Sequence, residues 1–217
     1  WLDYLRPVAR FLRETKKTHA HLQFHYEFAS IASAAIRQGI VDHILPTVDS
    51  LGLNEVELCA ILRDEDEAEL ARDIETDSSI AAVLRGLERL ADGTGLRRIQ
   101  LHDLGYYLTL VDKEFTTGEK CRDGMLFAAT LAASRSTFGK VGAKEEIMAG
   151  LEVPLAEKTE ERMASLAKEL ESPSFTETGI ATKNGRYIVF VPTKVVAKPV
   201  LTVGLGDLIS SSAFILG

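Results

Sequence analysis

Val48-Asp49-Ser50-Leu51-Gly52-Leu53-Asn54-Glu55-Val56-Glu57 is the stretch whose reading decides the fold. A short apolar run through Leu53 predicts a strand, and it passes without a linker into Asn54. Asn54 suits a helix N-cap, and Glu57 stands three residues later, the spacing of a capping box. A strand delivered straight into a helix is the repeating joint of an α/β protein.

The alternation continues in both directions. Upstream, residues 31–44 read as a helix. Leu22, Phe24, Tyr26 and Phe28 share one side of a predicted strand over 21–28. Residues 1–17 are an amphipathic helix with Leu2, Leu5, Val8, Ala9 and Leu12 on one stripe, and Pro7 near its start is tolerated there. Downstream of Asn54 the chain stays helical, and acidic residues crowd 64–77 as a solvated face. A helix over 78–92 ends at Asp92-Gly93-Thr94-Gly95, and Arg98–His102 is a strand. The Ala- and Leu-rich run 119–138 reads as a buried helix stopped by Gly139, and 156–171 as an amphipathic helix. Asn184-Gly185 turns between two β-like runs, 175–182 and 186–191. Val195, Val196 and Val200 continue as extended chain before a final helix over 207–215. The expected fold is one α/β domain over 1–217, its sheet mostly parallel with an antiparallel addition at one edge.

Composition narrows the function. Hydrophobic residues are 46% of the 217 and charged residues 26%, the balance of a folded protein. The net charge of −7 comes without a basic stripe, so nucleic acid is not an expected partner, although a local cationic pocket for phosphates remains open. Cys59 and Cys121 form no CxxC pair, which disfavours a disulfide framework or a zinc site and makes a reducing cytoplasm the default. No apolar run is long enough for a bilayer, and Trp1-Leu2-Asp3-Tyr4-Leu5-Arg6 is not a signal peptide, so no membrane partner is expected. No initiator Met stands at the start, and the chain reads as beginning within a longer protein. GxSxG, Walker A and HExxH patterns are absent, and His19, His21 and His43 have no zinc spacing with a cysteine.

Four short constellations carry chemistry, each beside a plainer structural reading. Gly204-Leu205-Gly206-Asp207 opens a helix whose N–H groups and dipole would face an anion, with a carboxylate in the same turn that could take a hydroxyl proton. Its plain reading is a glycine turn with an Asp placed well for the dipole. Asn54 and Glu57 are a capping box, or else Glu57 is a carboxylate at a strand's carboxyl end, where ligands bind in open sheets and where Mg²⁺ could be held. His25 and Glu27 fall on one face of their strand, able to hold a metal directly or through water, or simply its polar edge. His102-Asp103 ends a strand where a base or phosphate could be met, or where a histidine is merely hydrogen-bonded.

The order and flanks of these motifs are more specific than any one of them. His25-x-Glu27-Phe28-Ala29, the block from Asp49 to Leu58, Arg98–His102 followed by Gly105-Tyr106-Tyr107-Leu108, and above all the run from Val191 through Asp207 resemble the archaeal ADP-dependent sugar kinases. The resemblance runs from about residue 20 to the C-terminus. It implies a ribokinase-like three-layer α/β/α nucleotide-binding domain without most of its lid. It implies transfer of the β-phosphate of ADP to a hexose or hexose phosphate, glucose or fructose 6-phosphate, with Mg²⁺ and release of AMP. Asp207 is then the catalytic base, and the N–H groups around Gly204, Leu205 and Gly206 form the anion hole. Glu27 and Glu57 organise Mg²⁺ partly through water, with Asp207 in the same carboxylate set and Asn54 and His25 in support. His102, Asp103 and Val196 lie against the nucleotide. Asp103 stands where the family usually has Thr, Leu208 where it favours Ser or Thr, and Leu201 where it has Ser. Family members are much longer, so the resemblance implies that this chain alone phosphorylates sugars poorly. An ATP-dependent ribokinase-type kinase and a non-catalytic nucleotide-binding module are the alternative readings.

Overall fold

A computed structural model of the chain describes residues 1–77 and 79–217. Its strands form a mixed six-stranded sheet in the order β1-β2-β3-β4-β6-β5. The chain divides into two compact units, Trp1–Ile99 and Gln100–Gly217.

The first unit follows the predicted alternation. Helix α1 (Leu2–Thr18) precedes β1 (His25–Glu27), and α2 (Ala34–His43) precedes β2 (Ser50–Leu53). Then come α3 (Glu55–Asp64), α4 (Ala68–Asp77) and α5 (Ile80–Thr94). β1 and β2 are parallel, with His25 opposite Ser50 and Glu27 opposite Gly52. β2 is buried at every residue, as a parallel strand covered on both faces should be.

The predicted strand over 21–28 shortens to three residues for a local reason. Asp49 Oδ2 accepts the Phe24 N–H at 2.8 Å, and the Phe24 carbonyl accepts the N–H groups of Asp49 and Ser50. The ladder therefore begins only at His25. Residue 78, where the sequence reading opens its helix, lies outside the described residues. That helix runs on to Thr94 and stops at Gly95, whose φ of 72° is left-handed, so only the last glycine of the predicted stop is used. Gly86 lets α5 approach α3, because a Cβ there would lie 3.1 Å from Leu62 Cδ1. The acidic stretch pairs with arginines at the surface, Arg89 with Glu67 at 2.7 Å and Arg63 with Glu75. Exposed pairs of this kind contribute little.

Strand β3 (Arg98–His102) begins in the first unit and ends in the second. The second unit contains β4 (Tyr106–Asp112), α6 (Gly118–Phe138), α7 (Lys144–Ala149), α8 (Thr159–Glu169) and α9 (Phe175–Thr178). Strands β5 (Ile180–Lys183) and β6 (Arg186–Pro192) and helix α10 (Leu205–Leu216) complete it. The Asn184-Gly185 hairpin forms as expected, with φ of 50° and 79° at its two turn residues, the primed geometry that matches strand twist. β6 also pairs antiparallel with β4, from Tyr106 opposite Pro192 to Asp112 opposite Arg186.

Several expectations need correction here. Residues 175–178 form a helical turn, because Gly179 at φ 67° breaks the run before β5. The amphipathic helix starts at Thr159, after Lys158 takes a left-handed φ of 61°. Val195, Val196 and Val200 join no strand. Only Lys194 forms a bridge, with Leu155, and the Val200 N–H goes to the Ser136 carbonyl.

Helix α6 is the core of this unit. Cys121, Met125, Ala128, Ala129 and Ala132 pack with Tyr107 and Val111 of β4, Val189 and Val191 of β6, and Ile209 and Ala213 of α10. Small residues allow α10 to lie close. A Cβ on Gly124 would fall 2.9 Å from the Ala213 carbonyl oxygen. This packing holds the helix that begins with Gly204-Leu205-Gly206-Asp207.

Candidate active site

At the carboxyl ends of β1 and β2, the polar residues are organised by the capping box that the sequence spacing predicts. Asn54 Oδ1 accepts the Glu57 N–H at 3.0 Å, and Glu57 Oε2 accepts the Asn54 N–H at 2.9 Å. Ser30 Oγ donates to Glu57 Oε1 at 3.0 Å. Glu57 is 6% exposed, so its carboxylate is held by both oxygens in a largely dry place. Burial raises the Tyr26 hydroxyl pKa, and the Glu57 charge raises it further, which puts Tyr26 in the same environment.

His25 and Glu27 share a face, with His25 Nε2 3.8 Å from Glu27 Oε2. His25 Nδ1 is 2.9 Å from Ser50 Oγ, which also accepts from Arg98 Nη1 at 3.1 Å. Which of Ser50 Oγ and His25 Nδ1 donates in that contact depends on the imidazole tautomer.

The donors at these strand ends are oxygen-rich, as Mg²⁺ requires. Among the described residues no three His, Cys, Asp or Glu side chains converge in a metal-binding cluster. Glu57 and Glu27 are the carboxylates at these strand ends that could face a cation or its water.

In the second unit, His102 ends β3 and is 7% exposed. Asp103 follows it into a tight turn to β4, its N–H donating to the Tyr106 carbonyl at 3.0 Å. Burial pushes the Asp103 carboxyl above the usual range; the Leu104 N–H, Arg162 and His102 act in the opposite direction. Thr193, just past β6, clamps this turn. Its Oγ1 accepts the Gly105 N–H at 2.8 Å, and its own N–H reaches the Gly105 carbonyl at 3.3 Å. Val196 is half-buried three residues further on.

Gly204 is the N-cap of α10 with φ 71° and ψ 21°, and the helix has no side-chain cap. Leu205 N–H turns back to the Thr202 carbonyl at 3.4 Å, and Leu208 N–H bonds the Gly204 carbonyl at 3.3 Å. The N–H groups of Gly206 and Asp207, in the first turn, have no intrahelical acceptor. Asp207 is exposed in that turn. Arg135 of α6 holds the loop from behind, donating to the carbonyls of Gly204 at 3.1 Å and Val203 at 3.2 Å, and Ser136 Oγ donates to Leu201 at 3.2 Å.

The structure thus groups His25, Glu27, Asn54 and Glu57 in one unit, and it places His102, Asp103, Val196 and the Gly204–Asp207 turn in the other. Sequence reasoning missed Ser30, Ser50, Arg98, Arg135, Arg162 and Thr193. Arg98 offered a signal, since an arginine that opens a buried strand must find a partner. The others act through contacts far away in sequence.

The chain is an α/β protein with the ribokinase-like fold of the ADP-dependent phosphofructokinases on which it superposes. A solved structure described as an ADP-dependent kinase complex with fructose 6-phosphate and ADPβS superposes with a TM-score of 0.92 at 34% identity, over 98% of this chain and 48% of that one. The chain belongs to the ADP-specific phosphofructokinase/glucokinase family, whose conserved region it matches over residues 1–216. It is 39% identical over 193 residues to the ADP-dependent glucose/glucosamine kinase of Pyrococcus furiosus, covering 88% of this chain and 41% of that protein. It is 30% identical over 222 residues to the ADP-specific phosphofructokinase of Methanosarcina acetivorans, covering 98% and 45%. The chain therefore spans less than half the length of these relatives.

Proposed function

We propose that this chain supplies the nucleotide-binding and catalytic part of an ADP-dependent sugar kinase. The reaction moves the β-phosphate of ADP to a hydroxyl of a hexose or hexose phosphate, glucose or fructose 6-phosphate, and releases AMP. Family membership and the names borne by its relatives support the donor and the substrate class.

One observation carries the chemistry: α10 opens at a left-handed glycine, has no side-chain cap, and presents the Asp207 carboxylate in its first turn. Phosphoryl transfer needs positioning and charge stabilisation more than covalent help. The Gly206 and Asp207 N–H groups and the helix dipole stabilise charge on the phosphoryl oxygens. Asp207 accepts the proton of the attacking sugar hydroxyl. Glu57 and Glu27 would hold the water of a bound Mg²⁺, and the Asn54 and Ser30 contacts keep Glu57 in place. A bound Mg²⁺ would offset the negative charge of the diphosphate. His102, Asp103 and Val196 border the nucleotide.

The test is Asp207→Asn in the full-length protein. The expected loss in kcat is about 10²–10⁴-fold, the usual worth of a general base, with ADP affinity nearly unchanged. A variant that kept most of its turnover would remove Asp207 from the role of base.

A further inference from the structure

Arg162, in the first turn of α8, lies against the β3–β4 turn in a way that the nucleotide reading does not use. Its guanidinium carbon is 4.8 Å from the centre of the Tyr106 ring, and Tyr106 stacks on Phe190 at 5.7 Å with the rings 5° from parallel. Both aromatic rings are buried, so the guanidinium caps a rigid stack. Gly105 leaves the room for it. Its φ is 131°, and a Cβ there would stand 2.6 Å from Arg162 Nη1. Two residues earlier is the half-buried Asp103 carboxylate, which Arg162 stabilises in its ionised form. The turn is therefore fixed by Thr193 through its backbone, by the Asp103–Tyr106 hydrogen bond within it, and by Arg162 over its aromatic side.

We propose that Arg162 is a positioning residue for the nucleotide, acting through the turn that carries His102 and Asp103 and balancing the Asp103 charge at that edge. This rests on the reading above in which His102 and Asp103 border the nucleotide. Asp103 is a carboxylate in that turn, and negative charge near a diphosphate costs affinity unless a cation compensates it. The Arg162 guanidinium, seated over Tyr106 and against Gly105, is a cation beside that turn.

The experiment is calorimetric ADP binding and steady-state kinetics on the full-length protein, comparing Arg162→Gln and Arg162→Lys with and without Asp103→Asn. Arg162→Gln is expected to weaken ADP binding about tenfold, the scale of one well-placed cation, with kcat and the sugar KM within about twofold. Arg162→Lys keeps the charge, loses the planar stack, and recovers part of the affinity. In the Asp103→Asn background the effect of Arg162→Gln shrinks, because the charge to be balanced is gone. If Arg162 merely ties α8 to the hairpin, Gln and Lys lower the thermal midpoint alike and leave the ADP affinity alone, and the proposal fails. Wild-type binding of ADP with no response to Arg162→Gln also overturns it, while leaving the nucleotide reading intact. Failure of the wild type to bind ADP removes both.

Discussion

Gly204 is the position where backbone geometry most directly sets the proposed anion site, and replacing it gives a graded prediction. Its φ of 71° and ψ of 21° lie in the left-handed region. A residue with a Cβ pays about 1–2 kcal/mol there, and asparagine pays less because its short polar side chain tolerates that region. The built Cβ also stands 3.3 Å from Arg135 Nη2, whose guanidinium donates to the Gly204 and Val203 carbonyls. Moving a flexible arginine tip by a few tenths of an ångström weakens those bonds without breaking them. Gly204→Ala should therefore cost about 1–3 kcal/mol in all, Gly204→Asn roughly half of that, and Gly204→Val more than either. Urea unfolding followed by circular dichroism reads this out. With a slope of about 2 kcal/mol per molar urea, the alanine midpoint falls by about 0.5–1.5 M. In the full-length protein, the same substitution tilts the Gly206 and Asp207 N–H groups, and kcat/KM falls about a hundredfold if the donors move by about 1 Å. Alanine equal to glycine in stability, or asparagine worse than alanine, would show that residue 204 does not depend on a left-handed backbone, and the geometric argument for the anion hole would fall with it.

Two further outcomes follow from the second unit. Met125 is fully buried among α6, β4, β6 and α10, so Met125→Ala should cost about 2–5 kcal/mol in a denaturant titration, and a loss under about 1 kcal/mol would contradict the packing described. Burial raises the Asp103 carboxyl pKa in the folded chain, so the unfolded chain ionises first and stability is lost as pH rises from about 4 through the folded value. Asp103→Asn should leave the melting temperature unchanged near pH 3 and raise it at pH 7, and equal midpoints at pH 7 would refute the assigned cause.

What the sequence made legible was set by how local the determining interactions are. The β2–α3 joint is written in four consecutive residues, and both bonds of the Asn54–Glu57 box form. The Asn184-Gly185 turn and the Gly139 stop are likewise local, Gly139 taking φ 73°. Strand β4 was not read as a strand, because its partner is β6, some eighty residues later, and nothing near Tyr106 announces that pairing. The late start of the strand predicted over 21–28 depends on Asp49 capturing the Phe24 N–H, a contact that strand periodicity cannot express. The site shows the same division. Glu27, Glu57 and Asp207 were visible as motifs at strand ends and a helix start. Arg135, which braces the Gly204–Asp207 turn, and Arg162, which packs over the β3–β4 turn, were hidden because each acts on a segment far along the chain.

The most direct test of the central claim is calorimetric titration of the purified chain with ADP, ATP and AMP, with and without Mg²⁺. The proposed function predicts magnesium-dependent binding that favours ADP over ATP, weakened when Glu57 is replaced by Gln. Tighter binding of ATP, or no binding of any of the three nucleotides, would contradict it.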